Sequence, residues 1–183
     1  MTPEMALNTV VKRTLHVKVP IEKAFQVFTE RMGQWWPASH HVGGTPFKDI
    51  LIDPRAGGRW YEINVQGAEC IWGTVVTWEP PKKVVLSWHL QPDWTFSADL
   101  ARASEIALEF LAEGPEATRV EFEHRHLERH GAGWEKMREQ VGAEGGWPAR
   151  TVAADRTSTS TPSSKRPTGW PDAQHVAGIT RRR

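Results

Sequence analysis

The sequence predicts one α+β domain followed by a basic tail, and three observations support this prediction. Apolar residues alternate with polar ones along seven segments, a pattern typical of half-buried strands. Only two longer segments place apolar residues at helical spacing. The later strands are joined by short turns, so they form an antiparallel sheet whose few helices cover one face.

The predicted elements begin with a strand, a helix and a loop. Alternation from Thr9 to Val19 predicts the first strand, which ends at Pro20. Apolar residues at helical spacing then predict an amphipathic helix that ends at Gly33. The following Trp35-Trp36-Pro37 stretch indicates a short helical turn before a loop.

Six further strands are predicted in hairpin series. They are Phe47–Ile52, Arg59–Val65, Cys70–Trp78, Val84–Leu90, Ser104–Leu111 and Thr118–Leu127. Glu79-Pro80-Pro81-Lys82 and Glu113-Gly114-Pro115-Glu116 form two of the predicted turns. A short helix marked by Trp134, Met137 and Val141 completes the domain before Gly142.

Composition excludes several classes of protein. The mean hydropathy is −0.52 and no apolar run approaches the length of a membrane span. The charged residues among the first twenty positions argue against a secretory signal, so we expect a cytoplasmic protein with no membrane partner. A single Cys70 excludes an internal disulfide, and we interpret it as an inert buried thiol.

The last part of the chain differs in charge and composition. Residues 149–183 carry a net charge of +5 and contain no Leu, Phe, Tyr or Met. We therefore predict a domain at residues 7–150 and a low-complexity, disordered basic tail at residues 151–183. The tail has no interleaved aromatic residues, so no specific nucleic-acid partner is expected.

Ten tryptophans against one tyrosine indicate either an aromatic core or an aromatic-lined cavity. By period-two alternation, the candidate wall residues are Phe25, Phe28, Tyr61, Trp72, Trp78 and Trp88. Arg13, Arg59 and His124 also fall on apolar faces, where they could orient an anionic or carbonyl-bearing ligand. The alternative is that these polar residues lie at strand ends or pair with acids such as Glu62 and Glu69.

A metal site is a weaker interpretation of the histidines. His124-x-His126 places two imidazoles on one face of a strand, and His130 follows. No cysteine or helical histidine pair completes a zinc ligand set, so we predict no metal and no cofactor. The sequence also contains no nucleotide-binding glycine pattern and no nucleophile motif, which leaves no candidate catalytic residue.

Several short motifs occur in the order found in a known family. They are Gly57-Gly58-Arg59-Trp60-Tyr61-Glu62, Trp72-Gly73, Trp78-Glu79-Pro80-Pro81, Glu121-x-Glu123-His124-Arg125 and Glu144-x-Gly146-Trp147-Pro148. With these motifs, residues 8–148 resemble the SRPBCC (START-like, Bet v 1-like) superfamily. The branch they resemble is the C-terminal domain of the heat-shock-protein-90 ATPase activator homologue.

This resemblance implies a helix-grip fold, in which about six to seven curved antiparallel strands wrap a C-terminal helix around a cavity. Members of the superfamily bind hydrophobic or aromatic molecules, and a minority are cyclases or hydrolases. The resemblance stops after Trp147, where the family continues with an apolar helix and this chain does not. A frameshift near codon 149 or genuine divergence would each explain a truncated helix, and the uncovered sheet would favour a homodimer.

Three functions follow from these observations. The first is the binding of a small hydrophobic or aromatic ligand, including an anionic one, in the helix-grip cavity. The second is a module that interacts with a chaperone ATPase, which the resemblance alone implies. The third is a cyclase- or hydrolase-type enzyme with His124 as general base, although no partner for it is evident.

Overall fold

The computed structural model describes residues 8–36, 41–42 and 45–143, which form a curved antiparallel sheet with helices against one face. The strands are β1 (Val11–Val17), β2 (Phe47–Ile52), β3 (Arg59–Asn64), β4 (Glu69–Glu79), β5 (Lys83–Trp88), β6 (Ser104–Gly114) and β7 (Ala117–Arg125). The α-helices are α1 (Ile21–Glu30), α2 (Met32–Trp35) and α3 (Trp134–Gly142). Two short 3-10 helices, Leu100–Arg102 and Leu127–His130, lie on either side of β6 and β7.

The sheet has the order β1-β7-β6-β5-β4-β3-β2, with antiparallel pairing throughout. From β2 to β7 each strand pairs with the next in sequence, as the hairpin series predicts. β1 crosses to pair with β7, so β1 and β2 form the two edges. The predicted α+β helix-grip class, with its curved sheet of about six to seven strands, is confirmed, including the short C-terminal helix α3.

One face of the sheet carries the core, and we call it the inner face. Opposite residues in paired strands share a face, and Leu86 opposite Ile106 and Val84 opposite Leu108 are all buried there. The amphipathic helix α1 packs on this face through its buried Phe25, whose ring contacts Phe110. Burying a phenylalanine in this way contributes about 1.5–3 kcal/mol.

Helix α1 is also fixed by polar contacts within its own turns. The Thr29 hydroxyl donates to the Phe25 carbonyl over 2.7 Å, so its polar group is satisfied although the residue is buried. Gly33 follows in α2 rather than ending α1, because the predicted helix divides at Arg31 into α1 and α2. A Cβ at Gly33 would displace the Asp49 carboxylate and lie 3.1 Å from the Ile50 backbone nitrogen, so α2 packs tightly on β2 at this glycine.

The predicted alternation is wrong in β3 and partly wrong in β4. In β3 the inner-face residues are Trp60 and Glu62, which lie in or beside the core, whereas Val65 is exposed. In β4 a register shift opposite Trp60 and Tyr61 brings Val75 to the inner face. A second shift, between Val75 and Thr77, leaves Val76 exposed. A single extra residue moves each following side chain to the other face, which period-two alternation alone does not reveal.

The C-terminal helix α3 covers part of the inner face. Its Met137 and Val141 are buried, four positions apart on one side of the helix. The predicted boundaries at residues 7 and 150, the disordered tail and the departure after Trp147 lie outside the described residues. Among the residues that the structure describes, no helix has both the length and the apolar character needed to cross a membrane.

Candidate functional site

A cluster of tryptophans occupies the inner face where β3, β4 and β5 run side by side. Trp72 lies at its centre, with ring centroids 5.2 Å from Trp60, 6.2 Å from Trp88 and 5.1 Å from Trp36. Trp94 extends the cluster and lies 6.5 Å from Trp88. Most of these pairs are tilted or edge-to-face, which is the favoured geometry for aromatic rings. We call these five residues the tryptophan cluster.

Two members of the tryptophan cluster carry an unsatisfied donor. Trp60 is 1% exposed and Trp72 is fully buried. In the described part of the chain, the Nε1–H group of neither residue has a hydrogen-bond acceptor. A buried N–H group without an acceptor costs about 1–3 kcal/mol, so native proteins rarely contain two neighbouring ones. These two donors therefore need an explanation.

His124 lies beside the cluster in a buried hydrogen-bonded group. Its ring is 5.8 Å from that of Trp88, and its Nε2 lies 2.7 Å from Oγ of Ser104. The same hydroxyl oxygen lies 2.7 Å from Nε2 of His130. A hydroxyl can donate to one imidazole and accept from the other, so one Nε2 carries a proton and the other does not. We call Ser104, His124 and His130 the Ser–His network.

Burial keeps both histidines of the Ser–His network neutral. Desolvation holds the pKa of His124 well below 6.5, and the neighbouring His130 lowers it further. Burial also lowers the pKa of His130 to about 4, with added repulsion from Arg102 and His89. Neutral imidazoles paired to a hydroxyl are capable of accepting a proton, which is the chemistry the sequence suggested for His124.

A second aromatic group lies under helix α1. The ring of Phe25 is 5.2 Å from Trp78 and 5.3 Å from Phe110, and Phe28 is 5.7 Å from Phe110. The predicted wall residues thus divide into two groups on the same face. Trp72 and Trp88 lie with His124, whereas Phe25, Phe28 and Trp78 lie together beneath α1.

Arg59 and Tyr61 do not join either group, which corrects the prediction that they face inward. They alternate with the inner-face residues of β3 and so lie on the outer face. The Arg59 side chain is 42% exposed and pairs with Asp53 at 3.1 Å and Glu69 at 2.9 Å. Its guanidinium also lies 4.3 Å from the centre of the Tyr61 ring. The alternative of pairing with acids, including Glu69, describes Arg59 correctly.

Arg13 lies on the inner face at the edge strand β1. Its guanidinium donates to the carbonyls of Lys12 and Gly142. Gly142 is the last residue of α3, so the arginine satisfies a free carbonyl and opposes the negative end of the helix dipole. This contact gives Arg13 a structural role whether or not it also contacts a ligand.

An open cleft of about 600 Å³ lies between β1 and α3. Its lining includes Val11, Arg13, Arg138 and Ala143. In the sheet, Val11 lies opposite His124, so the two residues are neighbours on the inner face. The cleft therefore lies next to His124 across the β1–β7 pair, although His124 is not part of its lining.

The predicted pairing of His124 with His126 does not occur. β7 ends at Arg125, and His126 adopts a left-handed conformation with φ 60° beyond it. Its ring lies near Glu105 and Glu128, with nitrogen–oxygen distances of 3.9 and 3.8 Å. The two histidines therefore do not share a strand face, and no group of three metal-ligating side chains occurs within residues 8–36, 41–42 and 45–143.

Sequence reasoning missed three residues at this site. Trp60 and Glu62 were assigned to the outer face because Tyr61 and Ile63 gave an equally good apolar alternation. Glu62 is fully buried and accepts a hydrogen bond from the Val42 N–H over 3.1 Å. Ser104 carried no signal at all, because its importance depends on the register that places it opposite Trp88.

Cys70 fits the expectation of an inert thiol. It lies opposite Glu62 in the sheet and is buried. Desolvation raises the pKa of Cys70 to about 12, and the Glu62 charge adds to this effect. Because the thiolate is the reactive form, this cysteine is unreactive at neutral pH.

Comparisons with known proteins support the fold described above. A comparison with curated protein sequences finds no match. Among solved structures, the chain is 34% identical to an anthrahydroquino-gamma-pyrone synthase, Txn09, with a TM-score of 0.54; the match covers 75% of this chain and 90% of that one. It is 31% identical to the self-sacrificing resistance protein CalC from Micromonospora echinospora, with a TM-score of 0.52 and coverage of 76% and 87%.

A further solved structure shares the fold alone. Protein NE0264 from Nitrosomonas europaea is 17% identical, with a TM-score of 0.53 and coverage of 73% of this chain and 84% of that one. Residues 18–151 match the family described as "Activator of Hsp90 ATPase homolog 1-like protein". The predicted resemblance to this branch of the SRPBCC superfamily is thereby confirmed. The chain belongs to the family of Activator of Hsp90 ATPase homolog 1-like proteins.

Proposed function

We propose that this chain binds a small, planar aromatic ligand that carries carbonyl or anionic oxygens, and that the tryptophan cluster forms its site. The observation that carries this proposal is the pair of buried, unsatisfied indole N–H groups of Trp60 and Trp72. The family and its fold are of the cavity-type ligand-binding kind, which supports the proposal at a coarser level.

The chemistry of the donors narrows the ligand class. Two neighbouring N–H groups call for acceptor oxygens, and the rings that carry them lie only 5.2 Å apart. An aromatic ligand with ring carbonyls offers both acceptors and a flat apolar surface for contact with the indoles. A purely aliphatic ligand would leave the donors unsatisfied.

The two relatives above 30% identity support the same class. One is named as an anthrahydroquino-gamma-pyrone synthase, and that name denotes a fused aromatic ring system with ring oxygens. The other is named as a self-sacrificing resistance protein. The name of the synthase supports a ligand with oxygen-bearing fused rings for this chain.

We assign the ligand-contacting roles to Trp60, Trp72, Trp88 and His124. The group under α1, formed by Phe25, Phe28 and Trp78, is proposed as the adjoining apolar wall. Arg13 lies at the open cleft, where its charge favours the entry of an anion. Arg59 and Tyr61 have no part in the proposal because they lie on the outer face.

A matched pair of ligands tests the proposal. We expect anthraquinone-2-carboxylate to quench tryptophan emission saturably and anthracene-2-carboxylate, which lacks the carbonyls, to bind about tenfold more weakly. Trp60→Phe and Trp72→Phe remove the donors and keep an aromatic ring, so each should reduce the difference between the two ligands. Trp134→Phe, on α3, is the control variant. Equal binding of both ligands would refute the assignment of the indole donors.

A second candidate function is catalysis on the bound ligand. The Ser–His network places a neutral His124 next to Trp88, and the 34% identical relative is a synthase by name. If His124 is a general base, the protein should accelerate solvent deuterium exchange at the acidic carbon of a cyclic 1,3-diketone, and His124→Gln should abolish this. Exchange at the buffer rate would leave binding alone as the function.

A chaperone-ATPase partner is the third candidate and rests on the family description. No residue in the described part of the chain identifies a contact surface for such a partner. Adding the protein to a purified heat-shock-protein-90 ATPase and measuring turnover tests it directly. Stimulation of ATP turnover would support this candidate over the small-molecule function. Sedimentation of the purified protein would separately test the predicted homodimer.

A further inference from the structure

A second cleft lies at the end of the sheet where β5 ends and β6 begins. It has a volume of about 360 Å³, at the lower end of the range for small-molecule sites. Its lining includes Gln91, Asp93, Phe96, Arg102 and Ala132. We call it the hairpin cleft, because residues 91–97 form a tight hairpin with Leu90 opposite Phe96.

Gln91 is a fixed acceptor in this cleft. It is 4% exposed, and its Nε2 donates to the carbonyls of His89 and Arg102, each over 3.1 Å. These two bonds fix the plane of the amide and direct Oε1 away from both carbonyls. Oε1 is buried, and no described residue donates to it. A buried acceptor of this kind is costly unless a ligand or water supplies a donor.

The hairpin cleft also contains one charge of each sign. Asp93 accepts from the Thr95 amide over 3.0 Å and from its hydroxyl over 2.6 Å, both through Oδ1, which leaves Oδ2 available. These bonds lower the pKa of Asp93, so its carboxylate stays ionised. The Arg102 guanidinium forms no ion pair within 4.0 Å with any residue that the structure describes.

The walls of the hairpin cleft are held in place by packing. Trp94, at the tip of the hairpin, is buried against Trp88. On the other side, a Cβ at Gly133 would lie 3.2 Å from Pro92, so the turn before α3 packs directly on the hairpin. The Phe96 ring is stacked on His89 at 5.4 Å and provides an apolar surface. The hairpin and the Gln91 amide are therefore fixed in place, and Asp93 and Arg102 are exposed side chains at the mouth of the cleft.

We propose that the hairpin cleft binds a free aromatic α-amino acid. The ammonium group donates to Oε1 of Gln91 and Oδ2 of Asp93, and the carboxylate pairs with the Arg102 guanidinium. The side chain of the ligand lies against Phe96. This site is separate from the tryptophan cluster and does not depend on the function proposed there.

The test is a calorimetric titration of the full chain with L-phenylalanine and two blocked analogues. We expect saturable binding of L-phenylalanine, and at least about tenfold weaker binding of both N-acetyl-L-phenylalanine and L-phenylalaninamide. Asp93→Asn keeps an oxygen for Thr95 but removes the charge, and Arg102→Gln removes a guanidinium with no ion pair. Each should weaken binding by about tenfold or more. Arg55→Gln, at an exposed turn, is the matched control and should bind as the wild type does.

Three results would overturn the proposal. They are the absence of saturable binding up to the solubility limit of L-phenylalanine, equal binding of the blocked analogues, and unchanged binding by both cleft variants. A competition with anthraquinone-2-carboxylate separates the two sites. Displacement of L-phenylalanine by that ligand in a competitive manner would assign the amino acid to the tryptophan cluster, which contradicts this site while leaving the proposed function intact.

Discussion

Acidification should destabilise this protein before its carboxylates begin to titrate, because the Ser–His network is buried in the neutral form. The pKa of His130 falls from 6.5 to about 4 on folding, and that of His124 is also well below 6.5. Between these values the unfolded chain binds more protons than the folded one. The contribution of these histidines to the free energy of unfolding is therefore fully present above pH 6.5 and is lost as the pH falls toward 4.

The size of this effect follows from the shift at His130. One pKa unit corresponds to about 1.4 kcal/mol, so a fall from 6.5 to about 4 represents roughly 3 kcal/mol of stability lost on acidification. His124 adds to the loss in the same direction. Typical domains have only about 5–15 kcal/mol of stability, so a change of this size is easily measured.

Urea denaturation at pH 7.0, 6.0, 5.0 and 4.5 measures the effect. We expect the free energy of unfolding to decrease steadily over this range. His130→Gln should reduce the slope by about half, because His124 still contributes to it. Asp53 and Asp93 have lowered pKa values, so they lose stabilising charge only below their unfolded pKa of 3.8 and act outside this window. An unfolding free energy that is flat from pH 7.0 to 4.5, or an unchanged slope in His130→Gln, would refute the reasoning.

Three further predictions concern stability and binding. Gly73→Ala places a Cβ 1.7 Å from the Ser87 carbonyl oxygen, so it should lower the free energy of unfolding by at least about 3 kcal/mol in urea denaturation. Gly114→Ala has open space around it and should change that free energy by less than about 0.5 kcal/mol. Phe28→Ala removes a ring that is buried under α1 and should cost about 3–5 kcal/mol, measured in the same way. Arg59→Met should leave the binding of anthraquinone-2-carboxylate unchanged in a fluorescence titration, because the guanidinium lies on the outer face. A loss of affinity would show that Arg59 contributes to ligand binding.

The sequence predicted the elements well because their signals are local. Alternation, helical spacing and the turn residues each depend on a few neighbouring positions, and all seven strands and the two main helices occur where they were expected. The resemblance supplied the helix-grip arrangement, which no local pattern contains. The ends of the elements differ by a few residues, as at β7, where His126 turns into the left-handed region.

The site was predicted less well because it depends on register. In β3, the three consecutive residues Trp60, Tyr61 and Glu62 are all buried, so alternation gives two equally good assignments. Two register shifts along β4 then place Val75 rather than Val76 on the inner face. His124 was nevertheless placed on the correct face, because β7 has one clearly polar side. Trp72 and Trp88 also lie on the inner face, as the alternation predicted.

The inner face contains two kinds of buried polar group, and they differ in what they imply. The Nε2 atoms of His124 and His130 share the Ser104 hydroxyl, so the fold explains these two contacts, although Nδ1 of His130 has no partner among the described residues. The indole N–H groups of Trp60 and Trp72 have no acceptor among the described residues, so the fold does not explain them. A tryptophan retained only for packing could be replaced by phenylalanine or leucine without this cost. The two indoles, rather than the arginines that the sequence suggested, are therefore the strongest support for the proposed ligand.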